Sequence, residues 1–332
     1  MKLKHLLITF FIILLSFVIY QGINLLDKGD QEEVIVRIEA GDGASIIADK
    51  LVENGVLRSK KVFLLYIKLK GLEHSLSKGA YRFYGRTSIK DIVYRLENCD
   101  VILTKALIRE GLTIEQTALH LQEQGFGDYE KYMELCQDSL FASTITEYPV
   151  NTLEGFLYPD TYFFPESTTE EQVLKSMVRE FKKNMGEIKL PQDYKYSFYE
   201  VLTLASIVEK EAKYVDEKPL IASVYLNRLK IGQRLQADPT VAYALFGKGV
   251  KRTVIYYKDL EIDSPYNTYR NAGLPPTPIC SPTATSLKAV LNPEESDYYY
   301  FFAGSEGRHV FSKTYREHLK RQNELKNRKT DA

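Results

Sequence analysis

The run Leu204-Ala-Ser-Ile-Val-Glu-Lys-Glu-Ala212 constrains the fold more tightly than any other stretch of the chain. It reads as a helix that is apolar around most of its circumference. At about 100° per residue, Val201, Leu204, Ala205, Ile207, Val208 and Ala212 share one wide face. Glu209 and Glu211 fall at the flanks of that face, so periodicity does not choose between them. Their neighbours differ. Three and four residues from Glu209 stand Ala205, Ser206, Ala212 and Lys213, and Glu209 with Lys213 makes a favourable i,i+4 ion pair. Around Glu211 the same positions hold Ile207, Val208, Tyr214 and Val215, with no cation and only the Tyr214 hydroxyl as donor. A carboxyl in such company resists ionising and its pKa rises, which is what a general acid at neutral pH requires. The ordinary alternative is a pairing of Glu211 with a distant arginine such as Arg228 or Arg234.

Further blocks follow in order. After Asp216, an expected N-cap, and Pro219, a second helix is expected at 220–229, closing at Gly232. Then come the polar loop Arg234-Leu-Gln-Ala-Asp-Pro-Thr240, the segment Ser264-Pro-Tyr-Asn-Thr-Tyr269 and Gly273-Leu-Pro-Pro276. The pieces Ala205-Ser-Ile-Val-Glu-Lys-Glu211, Asn227-Arg-Leu-Lys-Ile-Gly232, Leu235-Gln236, Asp238-Pro-Thr240, Tyr266-Asn-Thr-Tyr269 and Gly273-Leu-Pro-Pro276 together resemble the MltG (YceG-like) family of endolytic murein transglycosylases. Several blocks in one order are more specific than any single block, and the resemblance spans nearly the whole chain.

Residues 6–26 contain no charged side chain and are long enough to cross a bilayer, which takes roughly 20 residues. Lys2 and Lys4 precede the run, and Asp27, Asp30, Glu32 and Glu33 follow it. The positive-inside rule therefore places residues 1–5 in the cytoplasm and everything beyond the span outside. The expected location is the cytoplasmic (inner) membrane, single-pass, with the catalytic domain extracytoplasmic. Tyr20-Gln-Gly-Ile-Asn24 offers no small-x-small cleavage site, which favours an uncleaved anchor over a signal peptide.

The charge balance, 44 basic against 44 acidic residues, gives no general pull toward nucleic acid. Cys99, Cys136 and Cys280 are odd in number and far apart, fitting neither a metal site nor a disulfide framework. The five histidines form no His-x-x-x-His pair, and Gly304-Ser-Glu-Gly307 has the wrong spacing for a nucleophile elbow. Gly41-Asp-Gly43 lacks the third glycine of a dinucleotide loop and reads as a turn. No metal and no cofactor is expected. The 24 tyrosines suit sugar contacts through an apolar ring face and a polar tip, and serve a core equally well.

Beyond a linker at 27–32, residues 33–38 alternate like a strand, with helices expected at 45–53, 60–70 and 88–96 and a strand at 80–84. Gly41, Ala48, Leu51, Glu53 and Gly55 recur seventy residues later as Gly111, Ala118, Leu121, Glu123 and Gly125, a weak internal echo. The resemblance implies a small LysM-like α/β subdomain here, able to hold glycan, within 33–128. A mixed α+β catalytic domain is expected at 129–318, and a charged tail at 319–332. The overall class is α+β with an N-terminal transmembrane helix. Leu153-Glu-Gly-Phe-Leu-Tyr-Pro-Asp-Thr-Tyr162 resembles another family block, in which Glu154 could line a sugar cleft or serve as a turn residue. Thr168-Thr-Glu-Glu171 reads as a capping box opening a helix to about 185. A helix at 285–290 and β-prone runs at 298–302 and 309–311 close the domain.

Most glycosidases need two carboxylates. The resemblance implies a lytic transglycosylase, which needs one: it protonates the oxygen between MurNAc and GlcNAc, then takes the proton of the MurNAc 6-hydroxyl as that ring closes to the 1,6-anhydro form. It places this role on Glu211, with Glu209 as fallback, and substrate contacts on Asn227, Gln236, Asp238, Tyr266, Asn267 and Glu154. Peptidoglycan strands are the implied substrate, nascent strands being cut and their elongation ended, and peptidoglycan synthases the implied partners. A water-using muramidase with Asp238 as second carboxylate and a non-catalytic peptidoglycan-binding scaffold are the alternatives.

Overall fold

The computed structural model describes residues 32–186, 188, 190–250 and 254–330, and the chain divides into two compact units. The span expected at 6–26 lies outside the described residues; among those described, no helix is long and apolar enough to cross a membrane.

The first unit takes in the chain up to Lys105 and the return segment 163–168. It opens with β1 (Glu33–Ile38), followed by α1 (Ala44–Glu53), α2 (Lys60–Lys70), β2 (Gly79–Tyr84) and α3 (Ile89–Glu97). β1 and β2 pair antiparallel, with Val36 opposite Tyr81 and Ile38 opposite Gly79. Alternation sets their inner face: Val36, Ile38, Tyr81 and Phe83 are buried while Ile35, Arg37, Arg82 and Tyr84 are exposed. Ile47 and Leu51 of α1, Phe63 and Ile67 of α2, and Ile92 and Leu96 of α3 complete the core. Gly79 has φ +144°, and a Cβ there would collide with the Val101 side chain, so only glycine fits where β2 begins.

The chain passes between units along β3 (Leu103–Leu107) and later β4 (Thr161–Pro165), which form a second two-stranded sheet. The second unit adds α4 (Ile114–Glu123), α5 (Tyr129–Gln137), α6 (Ser139–Thr146), α7 (Glu170–Met185), α8 (Phe198–Glu211), α9 (Lys218–Lys230), α10 (Asp238–Phe246), α11 (Ala284–Leu291), the antiparallel hairpin β5 (Tyr300–Ala303) and β6 (His309–Ser312), and α12 (Tyr315–Thr330). The division thus falls at 105/106 rather than at 128/129. The physical reason is α4: it packs against α5, and its first backbone N–H, that of Ile114, donates to Glu154 of the second unit.

α8 is the axis of this unit. Eight consecutive residues, Val201 to Val208, are buried, because α9, α10 and α11 pack around it. Ser197 and Glu200 cap its start reciprocally. Tyr148, Phe156, Phe181, Phe198 and Tyr199 form an aromatic cluster near that end, the Tyr148 and Phe198 rings stacking at 4.9 Å. The expected capping box at 168–171 is real but one residue later, between Thr169 and Gln172. The seventy-residue echo has a structural counterpart. Gly41 and Gly111 both turn with positive φ before α1 and α4, and Gly55 and Gly125 both leave those helices with positive φ. Matching hydrogen bonds close them, from Val56 N to Leu51 O and from Phe126 N to Leu121 O.

Candidate active site

α8 ends at Glu211, and Ala212 has already left helical geometry at φ −76°, ψ 118°. Because the helix stops there, Lys213 is not one turn above Glu209, and the i,i+4 pair expected from sequence does not form. The Lys213 ammonium donates instead to the Glu306 carbonyl at 3.3 Å. Glu209 turns inward to Lys218, both side chains being almost wholly buried at 3.2 Å. Its Oε2 also accepts from the Ser286 hydroxyl at 2.6 Å, the Thr283 hydroxyl at 2.7 Å and the Thr283 N–H at 2.9 Å. Burial alone would raise the Glu209 pKa; the Ser286 and Thr283 bonds and the Lys218 charge outweigh it and hold the carboxyl below its usual range. Glu209 is thereby a fixed anion tying α8 to α9 and α11.

Glu211 has a different setting. It lies on the wall of a cavity of about 570 Å³ lined also by Thr113, Lys210, Asp238, Tyr243 and Ile279. The buried Tyr225 hydroxyl donates to its Oε1 at 2.6 Å. Burial pushes the Glu211 pKa up to about 7, against the Tyr225 bond; the negative charge of Asp238 adds to the rise and the positive charge of Arg228 opposes it. The donor is therefore Tyr225 of α9 and not Tyr214, whose hydroxyl donates to the Glu306 carbonyl. Nor do the arginines neutralise Glu211. Arg228 gives Nε and Nη1 to the carbonyls of Tyr299 and Leu235, and Arg234 gives Nη1 to that of Tyr269. A hollow of similar size, about 590 Å³, lies elsewhere among Ile188, Pro219, Lys288 and Asn292, and Lys288 is the one titratable group in its lining.

The other residues singled out by sequence fall into two groups. Asp238, in the first turn of α10, shares the Glu211 cavity and accepts from the Tyr269 hydroxyl at 2.5 Å. The Asp238-Pro-Thr240 and Tyr266-Asn-Thr-Tyr269 blocks are knitted together, since the Thr240 and Thr268 hydroxyls meet at 2.8 Å and Thr268 accepts from the Ala237 N–H. Tyr266 packs its ring at 4.8 Å on Tyr243, a wall of the cavity, and bonds Thr277. Glu154 lies behind that wall: Tyr243 donates to its Oε2 at 3.0 Å and the Ile114 N–H to both oxygens. Burial pushes Glu154 up to about 7 in spite of these donors. It bonds the first turn of α4, where a carboxylate is favoured.

Asn227, Asn267 and Gln236 are not in the cavity lining. Asn227 gives its amide to the Ser296 and Tyr298 carbonyls, beside a separate hollow. Asn267 is fully buried; its amide donates to Leu260 and Ile262 carbonyls and its Oδ1 accepts from the Tyr269 N–H. Both have their amide donors engaged by backbone, so they shape loops. Gln236 is exposed, stands at φ +49°, and donates its N–H to Thr268 O, a strained corner that aims the following turn. Asp216 does not cap a helix as expected; it pairs with Arg308 at 2.6 Å, and α9 starts at Lys218.

Sequence reasoning missed Tyr225, Tyr243 and Tyr269, all of which reach a carboxyl from another element. The β-prone runs at 298–302 and 309–311 form the β5–β6 hairpin, and it grips the chain just after Glu211. Arg308 holds Asp216, and His309 meets Glu217 through its N–H at 2.9 Å and Nδ1 at 3.0 Å. His309 packs edge-on against Phe301 at 5.2 Å, and Phe301 edge-on against Tyr225 at 5.6 Å, so the grip extends to the Glu211 donor. Among the described residues no cluster of His, Cys, Asp and Glu could hold a metal ion.

The model of the YceG-like family matches residues 36–324. An endolytic murein transglycosylase of Bacillus subtilis (strain 168) is 34% identical over 310 residues, covering 89% of this chain and 85% of that protein. One from Streptococcus pneumoniae serotype 2 is 29% identical, covering 88% of this chain and 58% of that longer protein. A crystal structure of a yceG-like protein from Listeria monocytogenes superposes with a TM-score of 0.59 at 35% identity, covering 88% of this chain and 99% of the other.

Proposed function

The chain belongs to the YceG-like family, and on that premise we propose that it is an endolytic murein transglycosylase in which Glu211 is the single acid and base. The observation that carries the residue assignment is the unpaired, protonatable Glu211 carboxyl on a cavity wall, two residues from a glutamate committed to a buried ion pair. Protonated Glu211 gives its proton to the glycosidic oxygen as the bond to MurNAc C1 breaks, and GlcNAc leaves with a free 4-hydroxyl. The carboxylate then takes the proton of the MurNAc 6-hydroxyl while O6 bonds C1. The sugar supplies its own nucleophile, no water is consumed, and Glu211 ends protonated again. A carboxyl pushed up to about 7 can serve both steps near neutrality. The Tyr225 hydroxyl stabilises the carboxylate form between them. Asp238, Tyr266 and Glu154 are assigned to shaping the sugar cleft, Asp238 directly, the other two through Tyr243.

A water-using muramidase would need Asp238 as second carboxylate, and both groups line one cavity. Product ends decide between them. The protein incubated with uncrosslinked glycan strands should yield internal fragments ending in 1,6-anhydro-MurNAc, lost in Glu211→Gln and kept in a folded Glu209→Gln. Reducing ends would replace this mechanism with hydrolysis; bound but uncut strands would leave a scaffold.

The uncharged run at 6–26 with lysines before it supports a single-pass anchor that places both units outside the cytoplasmic membrane, where nascent strands emerge. The strand–helix–helix–strand order of β1, α1, α2 and β2 supports a LysM-like glycan-holding role for the first unit. Peptidoglycan synthases are the partners this placement suits.

A further inference from the structure

α2, with the sequence Lys-Lys-Val-Phe-Leu-Leu-Tyr-Ile-Lys-Leu-Lys, is apolar on two opposite sides, and the core needs only one. Phe63 and Ile67 are fully buried against α1 and the sheet. On the other side Val62, Leu65 and Leu69 are 38%, 55% and 78% exposed. Their spacing of three and four residues places them within a stripe of about 60° along the helix. Lys61 and Lys68 stand exposed on one flank of the stripe and Lys70 on the other, and the helix carries no acidic residue. Single exposed leucines are unremarkable. An apolar stripe with lysines on both borders is the pattern of a helix lying in the interface of an anionic bilayer, where lysine stems follow the apolar surface and their heads stay with the phosphates.

We propose that this face of α2 docks on anionic lipid headgroups of the membrane in which the chain is anchored, with Leu65 and Leu69 entering the acyl boundary. Two observations favour lipid as the occupant. The charge on the borders is of one sign and complements acidic lipid. The apolar run at 6–26 also ends only six residues before β1 begins at Glu33, a reach of roughly 25 Å at full extension. A unit tethered that closely meets the surface at high effective concentration, so a face too weak to bind from solution suffices. This inference rests on the anchor proposed above and goes beyond it, because an anchor alone leaves the unit free to turn.

The chain contains no tryptophan, which makes the test clean. Full-length Leu65→Trp, and separately Leu69→Trp, are reconstituted into vesicles of phosphatidylglycerol with phosphatidylcholine, or of phosphatidylcholine alone. Tyr94→Trp on α3, at a residue 64% exposed, serves as reference. The expected result with acidic lipid is blue-shifted emission at 65 and 69, and several-fold stronger quenching by brominated acyl chains than at 94. The contrast should weaken at high salt and vanish when Lys61, Lys68 and Lys70 are all replaced by glutamate. Flotation separates the two readings. Protein that does not float with the vesicles overturns the anchor and this proposal with it. Protein that floats with unquenched, unshifted tryptophan at 65 and 69 overturns the proposal and leaves the anchor standing. Equal quenching without acidic lipid, or a shift that needs added glycan strands, also overturns it.

Discussion

The two sides of the last turn of α8 show what tertiary surroundings do to one residue type. Glu209 and Glu211 are two residues apart on one helix. Glu209 accepts three hydrogen bonds from Thr283 and Ser286 and meets a buried ammonium. Glu211 accepts one from a tyrosine and faces a cavity. Burial acts on both; compensation is what differs, so one pKa falls below its usual range and the other rises to about 7. A buried carboxylate given a full set of partners becomes structure, and one given a single neutral donor stays able to move a proton.

Removing each carboxylate separately tests the difference most directly. Glu211→Gln should lower kcat by about 10²–10⁴, the usual contribution of a positioned acid–base group, with no loss of thermal stability. Equal loss of activity and stability at both positions would erase the distinction. Glu209→Gln should cost about 3–5 kcal/mol in denaturant unfolding, because Lys218 is left charged and buried without its carboxylate. Pairing it with Lys218→Met should recover part of that loss.

The pH dependence sharpens the contrast. Glu211 and Glu154 have folded pKa values of about 7 against an ordinary 4.5. Between those values the folded chain holds protons that the unfolded chain has released. Their contribution therefore lowers stability as pH rises from 4.5 to about 7 and is flat above. The Glu209 contribution has the opposite sense, present above its ordinary value and lost as pH falls through its lowered folded pKa. Activity should decline above about pH 7 as Glu211 loses its proton. Stability curves for Glu154→Gln and Glu209→Gln should separate the two slopes.

Tyr225→Phe removes the bond that favours the Glu211 carboxylate, so the alkaline limb of the kcat profile should move up by about one pH unit. A limb that stays in place would detach Tyr225 from the acid. The smallest effect is expected from His309→Gln. It loosens the grip of the hairpin on Glu217 and Phe301, and should reduce kcat several-fold with KM nearly unchanged. A pure KM effect would mean that the hairpin touches substrate.

Local elements were well marked in the chain. β1 and α2 have the bounds their periodicity predicts, since one face of each is packed on a single core. Partners were poorly marked. The Glu209–Lys213 pair looked sound by spacing and fails because α8 ends two residues too soon. Asn227 and Asn267 looked like sugar-binding amides, and their donors are satisfied by backbone carbonyls of loops whose paths no local pattern reveals. Strand–helix periodicity is the same on both sides of 105/106, so the compact unit that α4 joins shows only in space, in its packing on α5 and the bond from Ile114 to Glu154.

A mostly apolar helix carrying two carboxylates into an interior, followed by blocks in the order of the YceG-like family, was legible in the chain itself. Helical period and local composition are properties of adjacent residues. Which carboxylate would be ion-paired was not legible there. That choice depends on Lys218, Thr283 and Ser286 on one side and Tyr225 on the other, at separations from 9 to 77 residues. Desolvation and hydrogen bonding act across space, and no spacing along the chain encodes them.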